Sequence, residues 1–120
     1  PIGLLNPGGY GANLYESDGN LIVEYRIERN LTPGLWMIRS TDNVIYHNNF
    51  VENSPNALED DASHNVWYSP ELQEGNYWAD YKGRDADGNG IGEAAYKVSE
   101  KSQDLYPAMQ PDGWKTRKKP

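Results

Sequence analysis

A repeat of 23 residues constrains this chain more than any other feature of its sequence. The segment Asn20–Asn30 aligns with the segment Asn43–Asn53, and asparagines stand at both ends of both segments. Apolar positions match as well, since Ile22 aligns with Ile45. A period of roughly 20 to 50 residues with matched apolar and polar positions is typical of a solenoid, in which each repeat packs only on its neighbours.

The spacing of the apolar positions predicts the shape of each repeat. Ile22 and Ile27 are five residues apart, as are Ile45 and Phe50. Because five is odd, an unbroken strand would point the two side chains of a pair to opposite faces. A bend between them restores a common face, and Asn48 tolerates the left-handed backbone that such a bend needs. The sequence therefore predicts an all-β protein, a right-handed parallel β-helix with coils of about 23 residues and stacked asparagines. An unrelated pair of amphipathic strands is the alternative.

Composition and charge exclude several classes of protein. The chain has 120 residues, of which 18 are acidic and 11 basic, and its net charge of −7 repels phosphate backbones, so we expect no nucleic-acid partner. No apolar run approaches the ~20 residues of a membrane span, and without cysteine there are neither disulfides nor thiolate metal sites. Nine Tyr and four Trp beside abundant Gly and Asn are typical of turn-rich β proteins. The predicted location is extracellular, cell-surface or periplasmic.

Beyond the repeat, the chain changes character. Residues 1–19 predict an irregular N-terminal segment or a partial coil, and residues 20–53 predict the regular coils. Residues 54–110 are polar and turn-rich, and we interpret them as a degenerate coil followed by a C-terminal cap, because the terminal repeats of a solenoid are atypical. The aromatic side chains predicted to close the core are Trp67, Tyr77, Trp78 and Tyr81. Residues 111–120 predict a mobile basic tail.

An ordered series of short motifs runs along the chain, namely Asn43-Val-Ile-Tyr-His-Asn-Asn-Phe-Val-Glu-Asn53, Ala57-Leu-Glu-Asp-Asp61, Asn65-Val-Trp67, Gly75-Asn-Tyr-Trp-Ala-Asp-Tyr81, Gly83-Arg-Asp-Ala-Asp-Gly-Asn-Gly-Ile-Gly92 and Tyr96. Over about residues 20–107, this series resembles the NosD-type β-helix proteins. The family includes periplasmic copper-accessory proteins of nitrous-oxide reductase and many surface relatives. The resemblance implies a right-handed parallel β-helix of a class associated with carbohydrate binding and sugar hydrolysis, without implying one activity. This chain departs from the family at Glu93-Ala94-Ala95, where relatives often have Asp-Thr-Pro, and at Tyr25, which replaces the bend asparagine.

An acidic loop follows the aromatic cluster. The pattern of an EF-hand calcium loop is matched at five positions by Asp85, Asp87, Asn89, Ile91 and Glu93. Oxygen ligands at alternate residues of a tight turn suit a hard cation, because alternate side chains point inward. The last position of the pattern, normally a glutamate, is Tyr96, so a further ligand would come from Asp80, Asp104 or water. The motif predicts a structural Ca²⁺ clip that orders the cap, and an ordinary turn with solvated carboxylates is the alternative.

A run of acidic residues raises an enzymatic alternative. Glu59, Asp60 and Asp61, with Asp80 nearby in the sequence, would supply the paired carboxylates that glycoside hydrolysis uses. Adjacent residues of a strand point to opposite faces, however, so Asp60 and Asp61 cannot both face one substrate. A polysaccharide hydrolase or lyase fragment is thus an alternative, and we assign no catalytic residue.

Individual side chains suggest two further ligand classes. His47 and His64 are candidate copper ligands, because imidazole suits copper, and a NosD-like copper-accessory role is the second alternative. Aromatic side chains that stack on sugar rings are predicted at Trp67, Tyr68, Tyr77 and Trp78, with Tyr10, Tyr15 and Trp114 as further candidates. For each aromatic residue, a place in the plug of the cap is the alternative.

The small number of coils predicts a partner. Solenoids usually need about three or more repeats to be stable alone, and two regular ones are recognisable here. We therefore expect the N-terminal end of the β-helix to be covered by another protein, a second copy or upstream coils. The overall prediction is a calcium-stabilised β-helix module outside the cytoplasm, with a structural or binding role in surface assembly or polysaccharide contact.

Overall fold

The chain folds into short strands with almost no helix. The computed structural model describes residues 3–5 and 11–116. The strands in these residues are β1 (Gly3–Leu5), β2 (Ala12–Tyr15), β3 (Leu21–Val23), β4 (Tyr25–Glu28), β5 (Leu35–Ile38), β6 (Thr41–Tyr46), β7 (Asn49–Val51), β8 (Ala57–Glu59), β9 (His64–Val66), β10 (Tyr77–Trp78), β11 (Tyr96–Lys97) and β12 (Gln103–Asp104), and the helix α1 is Gly113–Thr116. No helix among the described residues is long and apolar enough to cross a membrane.

The strands β1 to β10 form three parallel sheets, which the chain visits in turn. Sheet A has the order β1-β4-β7-β10, sheet B the order β2-β5-β8 and sheet C the order β3-β6-β9. The all-β class and the parallel pairing of the repeats are confirmed. Pairing runs from Gly3 to Trp78, so it extends on both sides of residues 20–53, into the predicted N-terminal segment and the predicted cap.

Side chains directed between the sheets form one narrow core. Ile22 pairs with Ile45, and Ile27 pairs with Phe50, which pairs in turn with Trp78. All five are at most 9% exposed. The rings of Phe50 and Trp78 stack with centroids 4.4 Å apart and an angle of 8°. The apolar pairs of the repeat therefore share a face, as predicted. Burial of each such side chain stabilises the fold by about 1.5–3 kcal/mol.

The bends inside each repeat lie one residue before the predicted position. The bend between Ile22 and Ile27 is at Glu24, with a φ of 62°, and its equivalent in the next repeat is at His47, with a φ of 58°. Asn48 follows the bend, which corrects the prediction. The physical reason is that Asn48 is needed elsewhere, since its Nδ2 donates to backbone carbonyls of β3 and β6 at 2.9 and 3.0 Å.

The same arrangement recurs at every corner of the repeat. Left-handed residues lie at equivalent positions in successive repeats, namely Glu16 and Arg39, Gly19 and Asp42, Glu24 and His47, and Arg29 and Glu52. The residue directly after each of them belongs to a polar ladder, which is a column of equivalent residues in successive repeats. In each ladder, a backbone N–H donates to the side-chain oxygen of the equivalent residue in the next repeat. The corners therefore place one ladder each on the edge between two sheets.

The C-terminal part closes the core and packs against the sheets. Trp67 is 0% exposed, and Tyr77 and Tyr81 are half-buried. Trp114, in α1, is 7% exposed and stacks on His47 with centroids 4.9 Å apart. Within the predicted mobile tail, Trp114 and Asp112 therefore contact the sheets, since Asp112 also bonds to Asn49 at 2.9 Å. Residues 117–120 lie outside the described residues.

Candidate functional site

The acidic loop is a tight turn built on two left-handed glycines. Gly88 and Gly90 have φ values of 71° and 88°, a region that is strained for residues with a Cβ. Asp85 Oδ2 accepts the N–H of Gly90 at 2.8 Å, and Asp87 Oδ1 accepts the N–H of Asn89 at 3.1 Å. The glycines thus let the backbone fold around its own carboxylates.

Three carboxylates meet in this loop. One oxygen from each of Asp85, Asp87 and Glu93 lies within 4.8 Å of the other two. Backbone donors offset part of their repulsion, since Glu93 accepts the N–H of Ala86 at 2.7 Å. The hydrogen bond from the Gly90 N–H is the largest cause that holds the pKa of Asp85 below its ordinary value. Asp85 is therefore a carboxylate at neutral pH.

The two remaining predicted ligands lie on the same turn. Asn89 Oδ1 accepts the N–H of Ile91 at 2.9 Å, and Ile91 is 8% exposed. An antiparallel bridge joins Ile91 to Ala108. In this bridge the N–H of Gly92 donates to the Pro107 carbonyl, and the Gly90 carbonyl accepts the N–H of Met109. The bridge therefore does not use the Ile91 carbonyl. The loop is thereby anchored to the segment that precedes α1.

The residues expected to complete the coordination lie elsewhere. Tyr96 stacks on Trp78, with ring centroids 4.1 Å apart. Asp80 accepts the hydroxyl of Tyr96 at 3.1 Å and Nδ2 of Asn56 at 2.9 Å. Asp104 is 0% exposed. The hypothesis that Asp80 or Asp104 joins the carboxylate cluster is therefore wrong, because both are held by other partners.

Asp104 ends a ladder of asparagines. The N–H and Nδ2 of Asn48 donate to Asn76 Oδ1 at 3.1 and 3.0 Å. The N–H of Asn76 then donates to Asp104 Oδ2 at 2.7 Å, and the indole N–H of Trp78 donates to the same oxygen at 2.9 Å. Burial, the largest cause, raises the pKa of Asp104 to about 6. This carboxyl is a structural terminator in the core.

Two further ladders end in the same way on Glu59 and Asp80. Asn43 Nδ2 donates to Asn65 Oδ1 at 2.8 Å, and Asn65 Nδ2 donates to Glu59 Oε2 at 3.0 Å. In the other ladder, Asn56 Nδ2 donates to Asp80 Oδ1 at 2.9 Å. Each final amide thus finds an acceptor in a carboxylate, which only accepts.

A ladder of serines ends on Asp60. The N–H of Ser40 donates to Ser63 Oγ at 3.0 Å, and Ser63 Oγ donates to Asp60 Oδ1 at 2.7 Å. The hydrogen bond from Ser63 is the largest cause that lowers the pKa of Asp60. Four ladders in the described residues therefore end on acidic side chains, a pattern that sequence reasoning missed.

This use of the carboxylates removes the support for a hydrolase. Glu59 is 7% exposed, and both of its oxygens accept hydrogen bonds, from Ser99 and Asn65 among others. Asp60 and Asp80 end two other ladders, and Asp61 is exposed. Glu59, Asp60 and Asp80 thus belong to three separate structural networks.

For two of the four residues, the prediction that they stack on a sugar is wrong. Trp67 and Trp78 are 0% and 1% exposed, because they form the last layer of the core. Tyr68 and Tyr77 are half-buried, and Tyr68 packs edge-on against Tyr106 with centroids 5.4 Å apart. For Tyr68 and Tyr77, contact with a sugar stays a prediction.

The further aromatic candidates differ in exposure. Tyr15 is 53% exposed and lies under the guanidinium of Arg39, 5.1 Å from the ring centre. Trp114 is 7% exposed, so a sugar ring cannot stack on it. Tyr10 lies outside the described residues.

The two histidines do not share a site. His64 pairs with Thr41 at the start of β6, whereas His47 follows its end. Asp42 forms a corner after Thr41, and the extended residues from Asn43 to His47 alone span about 13 Å at ~3.3 Å per residue. His47 Nε2 lies 2.9 Å from Glu74 Oε1, and Met37 is 0% exposed in the core. Within residues 11–116, the one group of three His, Cys, Asp or Glu side chains close enough to hold an ion offers only oxygen, whereas copper favours softer donors.

Comparison with known proteins identifies the family. The family model described as periplasmic copper-binding protein (NosD) matches residues 4–83, which is two thirds of the chain. The match covers the three parallel sheets and ends before the acidic loop. No curated protein and no solved structure matches. The family match confirms the resemblance of the sequence motifs, and its periplasmic description confirms the location predicted outside the cytoplasm. The chain belongs to the NosD family.

Proposed function

We propose that this chain is a right-handed parallel β-helix module with a structural or binding role outside the cytoplasm, and that Ca²⁺ stabilises its C-terminal cap. The helical course is supported by three parallel sheets that the chain visits in turn. The right hand is supported by a general rule, since crossovers between parallel strands of one sheet are right-handed in nearly all proteins.

The convergence of Asp85, Asp87 and Glu93 within 4.8 Å carries the calcium proposal. Ca²⁺ takes roughly 6–8 oxygen ligands. Asn89 Oδ1 and the Ile91 carbonyl lie on the same turn, and water would supply the remaining ligands. An all-oxygen donor set favours a hard cation over copper.

The position of the loop supports a structural role for the ion. The N–H of Gly92 donates to the Pro107 carbonyl at 2.9 Å, and the N–H of Met109 donates to the Gly90 carbonyl at 3.0 Å. A cation that neutralises the three carboxylates would stiffen the loop and, through these bonds, hold the last segment of the cap in place.

Thermal unfolding of chelator-treated protein, with and without Ca²⁺, tests the proposal. At a Ca²⁺ concentration about 100 times Kd, a site present only in the folded chain adds about 2.7 kcal/mol, which raises Tm by about 10 °C for a domain of this size. The double variant Asp85→Asn/Asp87→Asn should lose this increase. It keeps the size of both side chains and removes their charge, at the loss of one acceptor oxygen on each.

The matched control is Glu71→Gln/Glu100→Gln, which removes two exposed carboxylates outside the loop. The control should keep the full Ca²⁺ response. An equal response in the loop variant, or none in the wild type, contradicts the calcium proposal and leaves the loop as an ordinary turn.

The N-terminal edge of the sheets is the proposed partner surface, for a second copy or another protein. Ladder donors point toward the C-terminal end, where carboxylates close them. At the other end, β3 is the edge strand of sheet C, and Asn20, the first rung of its ladder, is exposed. The equivalent Asn43 is 0% exposed, and its Oδ1 accepts the N–H of Asn20 at 2.7 Å. Light scattering should show mass that increases with concentration, and a monomer at every concentration contradicts self-association.

A copper role is the second candidate function, and the family match favours it. The described donors do not fit a shared copper site, so no role is assigned to His47 or His64. Contact with polysaccharide rests on Tyr68 and Tyr77. A depletion assay with insoluble polysaccharides tests that contact, and the release of soluble sugar in the same assay would support the hydrolase alternative.

A further inference from the structure

A chain of oxidisable aromatic rings runs from the core toward the surface. Trp67 and Trp78 are 0% and 1% exposed, with ring centroids 6.0 Å apart. Tyr96 is half-buried and stacks on Trp78 with centroids 4.1 Å apart and an angle of 7°. Tryptophan and tyrosine are the side chains of this cysteine-free protein that lose an electron most readily, and rings in direct contact exchange electrons quickly.

Each of the two buried indoles donates its N–H to its own carboxylate. Trp67 Nε1 donates to Glu59 Oε2 at 2.9 Å, and Trp78 Nε1 donates to Asp104 Oδ2 at 2.9 Å. Oxidation of an indole makes its N–H strongly acidic. A carboxylate in hydrogen-bond contact takes the proton and so allows the electron to leave.

Tyr96 has the same pairing at the outer end of the chain. Its hydroxyl donates to Asp80 Oδ2 at 3.1 Å. Asp80 is exposed, so a proton that it accepts passes directly to water. The outermost ring therefore has an outlet for a proton that the two buried indoles lack.

We propose that Trp67, Trp78 and Tyr96 form a relay that moves an oxidising equivalent out of the core. A one-electron oxidant such as the carbonate radical anion takes an electron from Trp78 and becomes carbonate, while the Nε1 proton passes to Asp104. Tyr96 then gives one electron to the Trp78 radical, Asp104 returns the proton to Nε1, and the phenol proton passes to Asp80 and on to water. The net loss is one electron and one proton from Tyr96, which becomes a neutral tyrosyl radical.

The relay protects the packing of the core. An oxygen atom added to Trp67 or Trp78 would place a polar group where each ring is fully buried. A radical on Tyr96 instead lies where reductants in solvent reach it.

Ultraviolet irradiation of the folded chain in air tests the relay, because an excited tryptophan loses its electron to dissolved oxygen. Peptide mass spectrometry then measures the oxidised fraction of Trp67 and Trp78. Tyr96→Phe keeps the stacked ring and removes the hydroxyl, and we expect several-fold more oxidation at both tryptophans. Asp80→Asn keeps ring and hydroxyl and weakens the proton acceptor, so a smaller increase is expected.

Tyr15→Phe is the control, since Tyr15 is 53% exposed and belongs to no part of the stack. It should leave the oxidation of Trp67 and Trp78 unchanged, and Trp36 and Trp114 serve as references within each sample. Equal oxidation in wild type and Tyr96→Phe overturns the relay, as does an increase in Tyr96→Phe with none in Asp80→Asn, which would indicate shielding alone. In the wild type, flash photolysis should show a tyrosyl radical that grows as the tryptophan radical decays, and decay without that growth also overturns it.

Discussion

Asn65 Nδ2 lies 3.0 Å from Glu59 Oε2, and this contact ends a column of asparagines on a carboxylate. The N–H and Nδ2 of Asn43 both donate to Asn65 Oδ1, at 3.1 and 2.8 Å. Each rung thus donates toward the C-terminal end, and the last amide needs an acceptor that has nothing to donate. A carboxylate meets that need, which explains why the other ladders end on Asp60, Asp80 and Asp104.

The direction of the ladders predicts that aspartate is not tolerated inside one. Asn48 is 0% exposed, its Nδ2 donates to Asn76 Oδ1 at 3.0 Å, and its Oδ1 accepts the N–H of Tyr25 at 2.9 Å. Asn48→Ala leaves at least two buried groups unpaired, so we expect a loss of about 2–4 kcal/mol. Asn48→Asp should cost at least as much, because its oxygens face the acceptor of Asn76. Urea unfolding measures both.

The control for this pair is Asn13→Ala, at an exposed strand position, where a change within about 0.5 kcal/mol is expected. A stability of Asn48→Asp near that of the wild type would show that the ladder donors have no fixed direction.

The raised pKa of Asp104 predicts that its contribution to the free energy of unfolding increases as the solution becomes more acidic. Burial raises its pKa to about 6, above the ordinary 3.8. A carboxyl that binds its proton more tightly in the folded chain contributes fully below about pH 3.8, and the contribution is lost as the pH rises through 6. The difference corresponds to on the order of 3 kcal/mol.

The matched reference is Asp104→Asn, which cannot titrate. Urea unfolding between about pH 4 and pH 7 should show the wild type gaining stability relative to this variant as the pH falls. The lowered pKa values of Asp60 and Asp85 act in the opposite direction, but they are present in both proteins and cancel. A relative loss in acid would show that the hydrogen bonds to Asp104 outweigh its burial.

Replacement of Gly75 by any residue with a Cβ is predicted to destabilise the fold. A Cβ at this position would overlap the carboxylate of Asp104, which cannot move without breaking the end of its ladder. We expect Gly75→Ala to destabilise by about 1–3 kcal/mol or more, as measured by urea unfolding. Gly113→Ala is the control, because its Cβ would lie at an ordinary 3.5 Å from that of Ala108. Equal stability of the two variants would contradict the packing argument.

The repeat was predictable because its signal is local and periodic. Ile22, Ile27, Ile45 and Phe50 show which side chains share a face, and their spacing requires a bend. The residue that forms the bend was not predictable from type, since Glu24 is not a typical left-handed residue and the more obvious Asn48 is used by the ladder.

The acidic ends of the ladders were harder to foresee for a different reason. Asn76 and Asp104 are 28 residues apart across an irregular cap, so no period connects them. The burial of Trp67 and Trp78 agrees with their predicted place in the plug of the cap, although composition does not show which layer each ring occupies. The available signal was the order of one column, in which Asn48 and Asn76 recur and Asp104 follows in the irregular part.

Copper titration tests whether the family's metal is bound by the two histidines. His64 is exposed and lies at the far end of β6 from His47, whose Nε2 is 2.9 Å from Glu74 Oε1. A shared ion would need both rings within about 4 Å of each other, whereas the extended residues from Asn43 to His47 already separate the two backbones by about 13 Å. We therefore expect His47→Ala and His64→Ala to leave the affinity for Cu²⁺, measured by calorimetry, within about two-fold of the wild type. A tenfold loss in both variants would require a copper site that joins them and would contradict this geometry.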